Sequence, residues 1–247
     1  MSDYARLRVH IAPLGFEVDR IVLPAVKMKA DKVWILIDND SKQDKAKSYL
    51  IDIKAQLKQE KIDFEVLKLN RLNLFSTIRA IRQIIEEEKQ HSYYVNVSSG
   101  SKIQAVACTM ATMMFNENNN LFPYYVEPEK YFPFKGKPQS TGMKHILDLP
   151  QYDIQIPDQK LIKTLNIIDA HNGRISKKDL ADITDKSSLI EIGAKEENYE
   201  QARFASLDKN IIHPLKDRWG LITEEKIGRT RWLILTEEGK NVKDILS

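Results

Sequence analysis

The residues with the clearest chemical capacity lie in one run, Asn96-Val-Ser-Ser-Gly-Ser-Lys102. It joins a strand-forming stretch, Tyr93 to Val97, to a stretch in which Ile103, Ala107, Met110, Ala111 and Met114 recur at helical spacing. A helix beginning near Ser101 leaves its first backbone N–H groups without intrahelical partners, and its dipole places about half a positive charge there. Phosphate or carboxylate is favoured at such an end. Gly100 permits close approach and Lys102 adds a full charge, while the same pattern also describes an ordinary strand-to-helix turn with a serine cap.

Other chemistries find less support. The single cysteine, Cys108, lies among small and apolar residues of that helix, cannot form an intrachain disulfide and reads as core. His10, His91, His145, His171 and His213 are scattered without zinc-ligand spacing, so no metal site is expected. The net charge of +3 makes no global demand for nucleic acid. No stretch approaches the roughly 18 apolar residues of a membrane span, and the start lacks a signal-peptide core. A soluble, cytoplasmic protein is the expectation.

The elements that must hold the Asn96–Lys102 run follow an alternating order. Leu7 to Ala12 reads as a strand, Pro13-Leu-Gly-Phe as a turn, and Glu17 to Lys29 as a helix carrying Ile21, Val22, Ala25 and Met28 on one side, kinked by Pro24. Val33 to Ile37 reads as a doubly buried strand, followed by Asp38 to Ser41 and a helix through Ala46, Leu50, Ile53 and Leu57. A third strand (Phe64 to Leu69), a helix (Leu74 to Glu88) and the strand at Tyr93 complete the rhythm of an α/β, Rossmann-like, mostly parallel sheet. Polar punctuation at Asn116 to Asn120 precedes closing strands at Leu121 to Val126 and His145 to Leu149, around an aromatic, basic loop from Tyr131 to Lys144. Ligands of such sheets sit outside the carboxyl ends of the strands.

Gln151 to Gln159 reads as a linker, dividing a domain of residues 1–156 from one of residues 157–247. The second begins with an amphipathic helix, Leu161 to His171, and a short helix, Lys177 to Thr184, capped by Ser176. A longer helix, Asn198 to Trp219, ends or bends at Pro214, before a strand at Gly220-Leu-Ile, a charged hairpin and a terminal turn, Val242 to Leu246. That order is a winged helix-turn-helix. From 158 onward 16 Lys plus Arg face 16 Asp plus Glu, so DNA binding requires cations gathered on one face. With Phe204, Leu207, Ile211 and Leu215 inward, the helix turns out Arg203, Ser206, Lys209, Asn210 and His213, and the wing adds Lys226, Arg229 and Arg231.

Two loops and this order resemble the CRISPR-associated Rossmann-fold (CARF) transcription regulators of the archaeal type with a carboxy-terminal winged helix. The carriers are Pro13-Leu-Gly-Phe-Glu-Val-Asp-Arg20 and Asn96-Val-Ser-Ser-Gly-Ser-Lys102, the latter standing where the family often has a Thr-Gly-Gly-Thr-Lys turn. The resemblance implies a homodimer whose two-fold completes a pocket for a cyclic oligoadenylate, cyclic tetra-adenylate first among them. Leu14, Gly15 and Phe16 of the first loop and Asn96, Ser98, Ser99, Gly100, Ser101 and Lys102 of the second would line it. It implies a DNA-binding, ligand-responsive regulator, with two alternatives: a metal-independent ring nuclease using Lys102 and the serines, or a regulator sensing another nucleotide outside CRISPR systems. Arg203 and His213 are too far apart for the paired Arg and His of CARF ribonucleases. A metal-dependent nuclease at Asp217 with Glu224 to Lys226 falls on a solvated wing. A dinucleotide dehydrogenase, with Asp38 on a ribose, fails because the first loop has only Gly15.

Overall fold

The computed structural model describes residues 6–40, 45–87, 90–116, 120–133, 138–193 and 195–247. Parts of the expected punctuation (117–119) and aromatic loop (134–137), and Ser41 of the second strand-end loop, lie outside the described residues. Contacts divide the chain into two compact units, with the division between Gln155 and Ile156.

In the first unit β1 (Arg8–Pro13), α1 (Asp19–Lys27), β2 (Lys32–Asp38), α2 (Lys47–Gln59), β3 (Asp63–Leu69), α3 (Leu74–Glu87), β4 (Ser92–Asn96), α4 (Lys102–Met114) and β5 (Leu121–Glu127) alternate. A hairpin of β6 (Lys130–Tyr131) and β7 (Ser140–Thr141), absent from the sequence reading, then leads to β8 (His145–Asp148). The sheet order is β3-β2-β1-β4-β5-β8, parallel except for β8 against β5. Val33 to Leu36 of β2 are buried, as expected of a central parallel strand covered on both faces. Ile21, Val22 and Ala25 of α1 pack with Ile53 and Leu57 of α2, while Ile78, Ile81 and Ile84 of α3 and Ala107, Cys108 and Ala111 of α4 are also buried. Because the chain moves from β1 to β2 and β3, then returns to β4 on the other side of β1, the order reverses between β1 and β4. In open α/β sheets a reversal of this kind is where ligands bind.

Part of the expected linker belongs to this unit. Asn116 Nδ2 donates to Gln151 Oε1, the Gln151 amide donates to Leu121 O, and Ile154 N donates to Met113 O.

The second unit contains α5 (Gln159–Ala170), β9 (Arg174–Ser176), α6 (Lys177–Lys186), α7 (Tyr199–Leu207), β10 (Ile222–Ile227), β11 (Thr230–Leu235) and α8 (Glu237–Leu246), with strand order β10-β11-β9. Its core gathers Leu165, Ile168, Leu180, Leu207, Ile211, Leu215, Leu221 and Leu233. Two expectations are corrected. The long helix does not end at Pro214: α7 continues as π-helical turns, Asp208–Ile212 and Pro214–Arg218. Proline has no N–H for the Asn210 carbonyl, and the wider turn removes the clash a proline ring makes with that carbonyl. The terminal turn is a full helix, because Thr236 caps it by accepting from Gly239 N and Gly239 has no side chain. A Cβ at Gly239 would lie 2.0 Å from Leu221 O.

Candidate functional site

The first loop and the run after β4 meet at the switch point, backbone against backbone. A Cβ on Gly15 would lie 2.7 Å from Gly100 N, and one on Gly100, whose φ is +77°, would lie 2.5 Å from Pro13 Cβ. Glycine is therefore required at both positions, by space at Gly15 and by space and conformation at Gly100. Ser99, buried, fastens the contact by donating from Oγ to Pro13 O at 2.6 Å. Three of the expected lining side chains have intrachain packing of their own. The Leu14 side chain is 4% exposed and packs into the core beside Ile21 and Ala25, and its backbone N–H extends the β1–β2 pairing to Leu36 O. Ser99 presents no free hydroxyl. Phe16, half-buried, turns its ring edge toward Tyr49 of α2 at 5.8 Å.

At the start of α4 the Ser101 side chain accepts from Gln104 N, and Ser101 N donates to Gln104 Oε1, a complete capping box. This narrows the anion-binding capacity, since two of the first N–H groups are already taken. Among the described residues, the N–H groups of Lys102 and Ile103 have no intrachain partner, and Gly100, Lys102 and Ile103 are exposed. Gly100, Lys102 and Ile103 are thus the exposed residues of the turn, with Ser101 half-buried between them.

Asn96 does different work from that expected of a lining residue. Pro24 has no N–H with which to satisfy the Arg20 carbonyl one turn earlier, and Asn96 Nδ2 donates to that oxygen at 2.7 Å. The Asn96 Oδ1 accepts from both N and Oγ of Ser98. Buried Asn96 therefore ties α1 to the loop that begins α4, and the helix runs through Pro24 without a break. A proline four residues after Arg20 is the sequence signal that the Arg20 carbonyl needs a partner from elsewhere.

Sequence reasoning also missed Glu17 and Arg20. Arg20, 4% exposed, donates from Nη1 to both Glu17 carboxylate oxygens and from Nε to Val126 O, and its guanidinium lies 4.9 Å from the centre of the Tyr125 ring. Ser140 Oγ on β7 donates to Glu17 Oε1, Gly142 N to Asp19 Oδ2 and Gln139 N to Phe16 O, so the β6–β7 hairpin lies fastened on the first loop. The Tyr125 and Tyr131 hydroxyls are 3.2 Å apart, and that hydrogen bond is the main reason the Tyr131 phenol sits above its ordinary pKa. Deeper in the sheet, His10 shares a hydrogen bond with Tyr124 Oη at 3.0 Å and stacks on Tyr94, and burial pushes its pKa down to about 3. Burial likewise pushes the Cys108 thiol up to about 12. Among the described residues, no three His, Cys, Asp or Glu gather as metal ligands.

The second unit brings together only part of its expected basic face. Arg203 does not point outward: its side chain is 11% exposed, with Nη1 2.7 Å from Asp182 and Nη2 2.9 Å from Glu200. The carboxylates on α6 and the first turn of α7 draw it in and spend its charge. Ser206 Oγ donates to Glu191 O and accepts from Asn210 Nδ2, so both side chains are engaged within the unit. Lys209, Lys226 and Arg229 are exposed and, among the described residues, make no ion pair. Arg231 lies 3.2 Å from Glu224. The wing turns at Gly228-Arg229, with glycine, φ +60°, at the first of its two central positions.

A mostly parallel sheet whose strand order reverses between β1 and β4, followed by three helices and a winged hairpin, defines a Rossmann-like domain joined to a winged-helix domain. The family described as HFX_2341_N:-like, N-terminal matches residues 8–131, about half of the chain, and the chain belongs to that family. The DUF6293 C-terminal winged helix domain matches residues 160–247. The Methanocaldococcus jannaschii protein MJ1513 is 28% identical over 218 residues, covering 76% of this chain, and this chain spans 64% of that relative's length. Similar solved structures include Enterococcus italicus Csm6 bound to cyclic hexa-2'-fluoro-hexa-dAMP, at 10% identity and TM-score 0.45 over 87% of this chain and 56% of that one. Can2 from Sulfobacillus thermosulfidooxidans in complex with cyclic tetra-adenylate is similar at 12% identity and TM-score 0.42, over 96% of this chain and 63% of that one. No helix among the described residues is long and apolar enough to cross a membrane.

Proposed function

We propose that the chain is a ligand-responsive, DNA-binding transcriptional regulator of CARF type, acting in the cytoplasm. Its residues 1–156 sense a cyclic oligoadenylate, with cyclic tetra-adenylate the first candidate, and its residues 157–247 bind duplex DNA. The observation that carries this reading is the fit of Gly15 against Gly100 at the β1–β4 switch point, which leaves Gly100, Lys102 and Ile103 exposed at the start of α4. A phosphodiester is the group such an end favours. Ile103 and Val106, three residues apart on α4, are 43% and 51% exposed. That apolar pair beside the anion-binding turn supports a homodimer around the ligand. Lys209, Lys226, Arg229 and Arg231 support the DNA role of the second unit, with Ser206, Asn210 and Arg203 holding the fold of its reading helix.

Retention of promoter duplex in a gel, with and without cyclic tetra-adenylate, tests the reading. Ligand should change the DNA affinity, light scattering should give a dimer, and Arg229→Ala should lower the salt slope by about one. A chain that stays monomeric and retains no duplex in either state contradicts it.

A further inference from the structure

The winged-helix unit contains a cleft of about 480 Å³ whose lining includes neither Lys209 nor Arg229. Lys216, from the last π-helical turn, and Thr223, Glu224, Lys226 and Arg231, from the wing strands, line it. Three cations and one carboxylate leave it with an excess of two positive charges. Their arrangement follows from the hairpin register: Lys226 stands opposite Arg231 and Glu224 opposite Leu233, so Arg231 is the diagonal neighbour of Glu224. One oxygen of Glu224 lies 3.2 Å from Arg231 Nη1 and the other 3.3 Å from Lys216 Nζ. Burial alone would raise the Glu224 pKa, but the hydrogen bonds and charges of Lys216 and Arg231 hold it below the usual carboxylate range. It is an anion throughout the neutral range.

We infer that this cleft is a phosphodiester-binding site for duplex DNA in which the Glu224 carboxylate stands in for the phosphate, competing with it for Lys216 and Arg231. A carboxylate and a phosphate oxygen accept the same charge-assisted hydrogen bonds from the same donors. DNA must therefore draw Lys216 and Arg231 from Glu224 or share them with it, and its phosphates meet a like charge beside their binding partners. This gives the electrically neutral unit a device that restrains sequence-independent binding, which comes almost entirely from phosphate neutralisation. It also assigns a DNA contact to Lys216, a helix residue outside the reading face and the wing tip. The inference rests on the DNA-binding reading above.

The test is binding of the full chain to a random-sequence duplex, followed by fluorescence anisotropy across a salt series. The variants are Glu224→Gln, Lys216→Ala, Arg229→Ala and, as a control for net charge, Lys163→Ala on α5, with each fold checked by circular dichroism. Glu224→Gln should tighten binding about fivefold at low salt, and Lys216→Ala should weaken it about five- to tenfold near 0.1 M salt, with the salt slope falling by about one. Lys163→Ala should leave both nearly unchanged. If Glu224→Gln binds no more tightly than the unsubstituted chain, or Lys216→Ala behaves as Lys163→Ala does, the cleft is not a phosphate site. That failure is separable from failure of the DNA reading: in the first case Arg229→Ala still weakens binding, whereas in the second neither the unsubstituted chain nor Glu224→Gln binds the duplex at all.

Discussion

The switch-point turn and the wing cleft, the two proposed anion sites, are built from different materials. At the switch-point turn the backbone does the work: Gly15 and Gly100 pack main chain on main chain, and the charge comes from helix geometry and Lys102. At the wing, long side chains do it, and the Glu224 carboxylate sets the positions of Lys216 and Arg231. A site of the first kind is intolerant of small additions and indifferent to most surface charges. A site of the second kind tolerates additions and responds to each charge removed.

The largest expected contrast is between two buried or half-buried arginines. Arg20→Ala leaves the Glu17 carboxylate buried without its ion pair and should cost about 3 to 5 kcal/mol in urea unfolding. Arg203→Ala leaves Asp182 and Glu200 able to hydrate and should cost about 1 kcal/mol. Equal losses would erase the distinction drawn between the two regions. Next in size are two glycines. Gly100→Ala must push Pro13 away at a positive φ and should cost about 2 to 4 kcal/mol, against about 1 for Gly228→Ala at the open wing turn, where a Cβ meets nothing within 4 Å. Thermal melts of the two variants measure this.

A smaller effect sharpens the picture of the first unit's interior. His10 is neutral when folded, with its pKa lowered by burial to about 3, and takes up a proton near 6.5 when unfolded. Between those values the unfolded chain binds more protons, so stability falls as pH falls, by about 1.4 kcal/mol per unit well below 6.5, and this group gives no slope above it. Denaturant titrations at pH 7 and pH 5 should show that loss, reduced in His10→Gln. A His10→Gln slope identical to that of the unsubstituted chain would mean His10 is not the titrating group.

What the sequence discloses follows the same division. The alternating order of the first unit is legible because buried runs such as Val33 to Leu36 and helical stripes such as Ile78, Ile81 and Ile84 are local patterns, and the β1 and β4 loops are recognisable from glycine and serine. The partners of those loops are not legible. Nothing local says that Asn96 serves the carbonyl Pro24 leaves open, that Ser101 and Gln104 consume two N–H groups, or that Glu17 and Arg20 are buried beneath a hairpin. In the second unit the winged-helix order is visible, yet helical spacing alone turned Arg203 outward, because spacing is blind to the carboxylates of the neighbouring helix. The π-helical turns at Pro214 escaped for a related reason, since proline forbids one hydrogen bond without saying which alternative the packing accepts.

The central claim is that Gly100 to Ile103, with Lys102, bind the phosphates of a cyclic oligoadenylate. Calorimetric titration with cyclic tetra-adenylate, linear adenylates and dinucleotides, for the unsubstituted chain and Lys102→Ala, tests it most directly. The account predicts binding of the cyclic ligand and a loss of about 1.5 to 3 kcal/mol of affinity in Lys102→Ala. Binding unaffected by the loss of Lys102, or no binding of any adenylate, would contradict it.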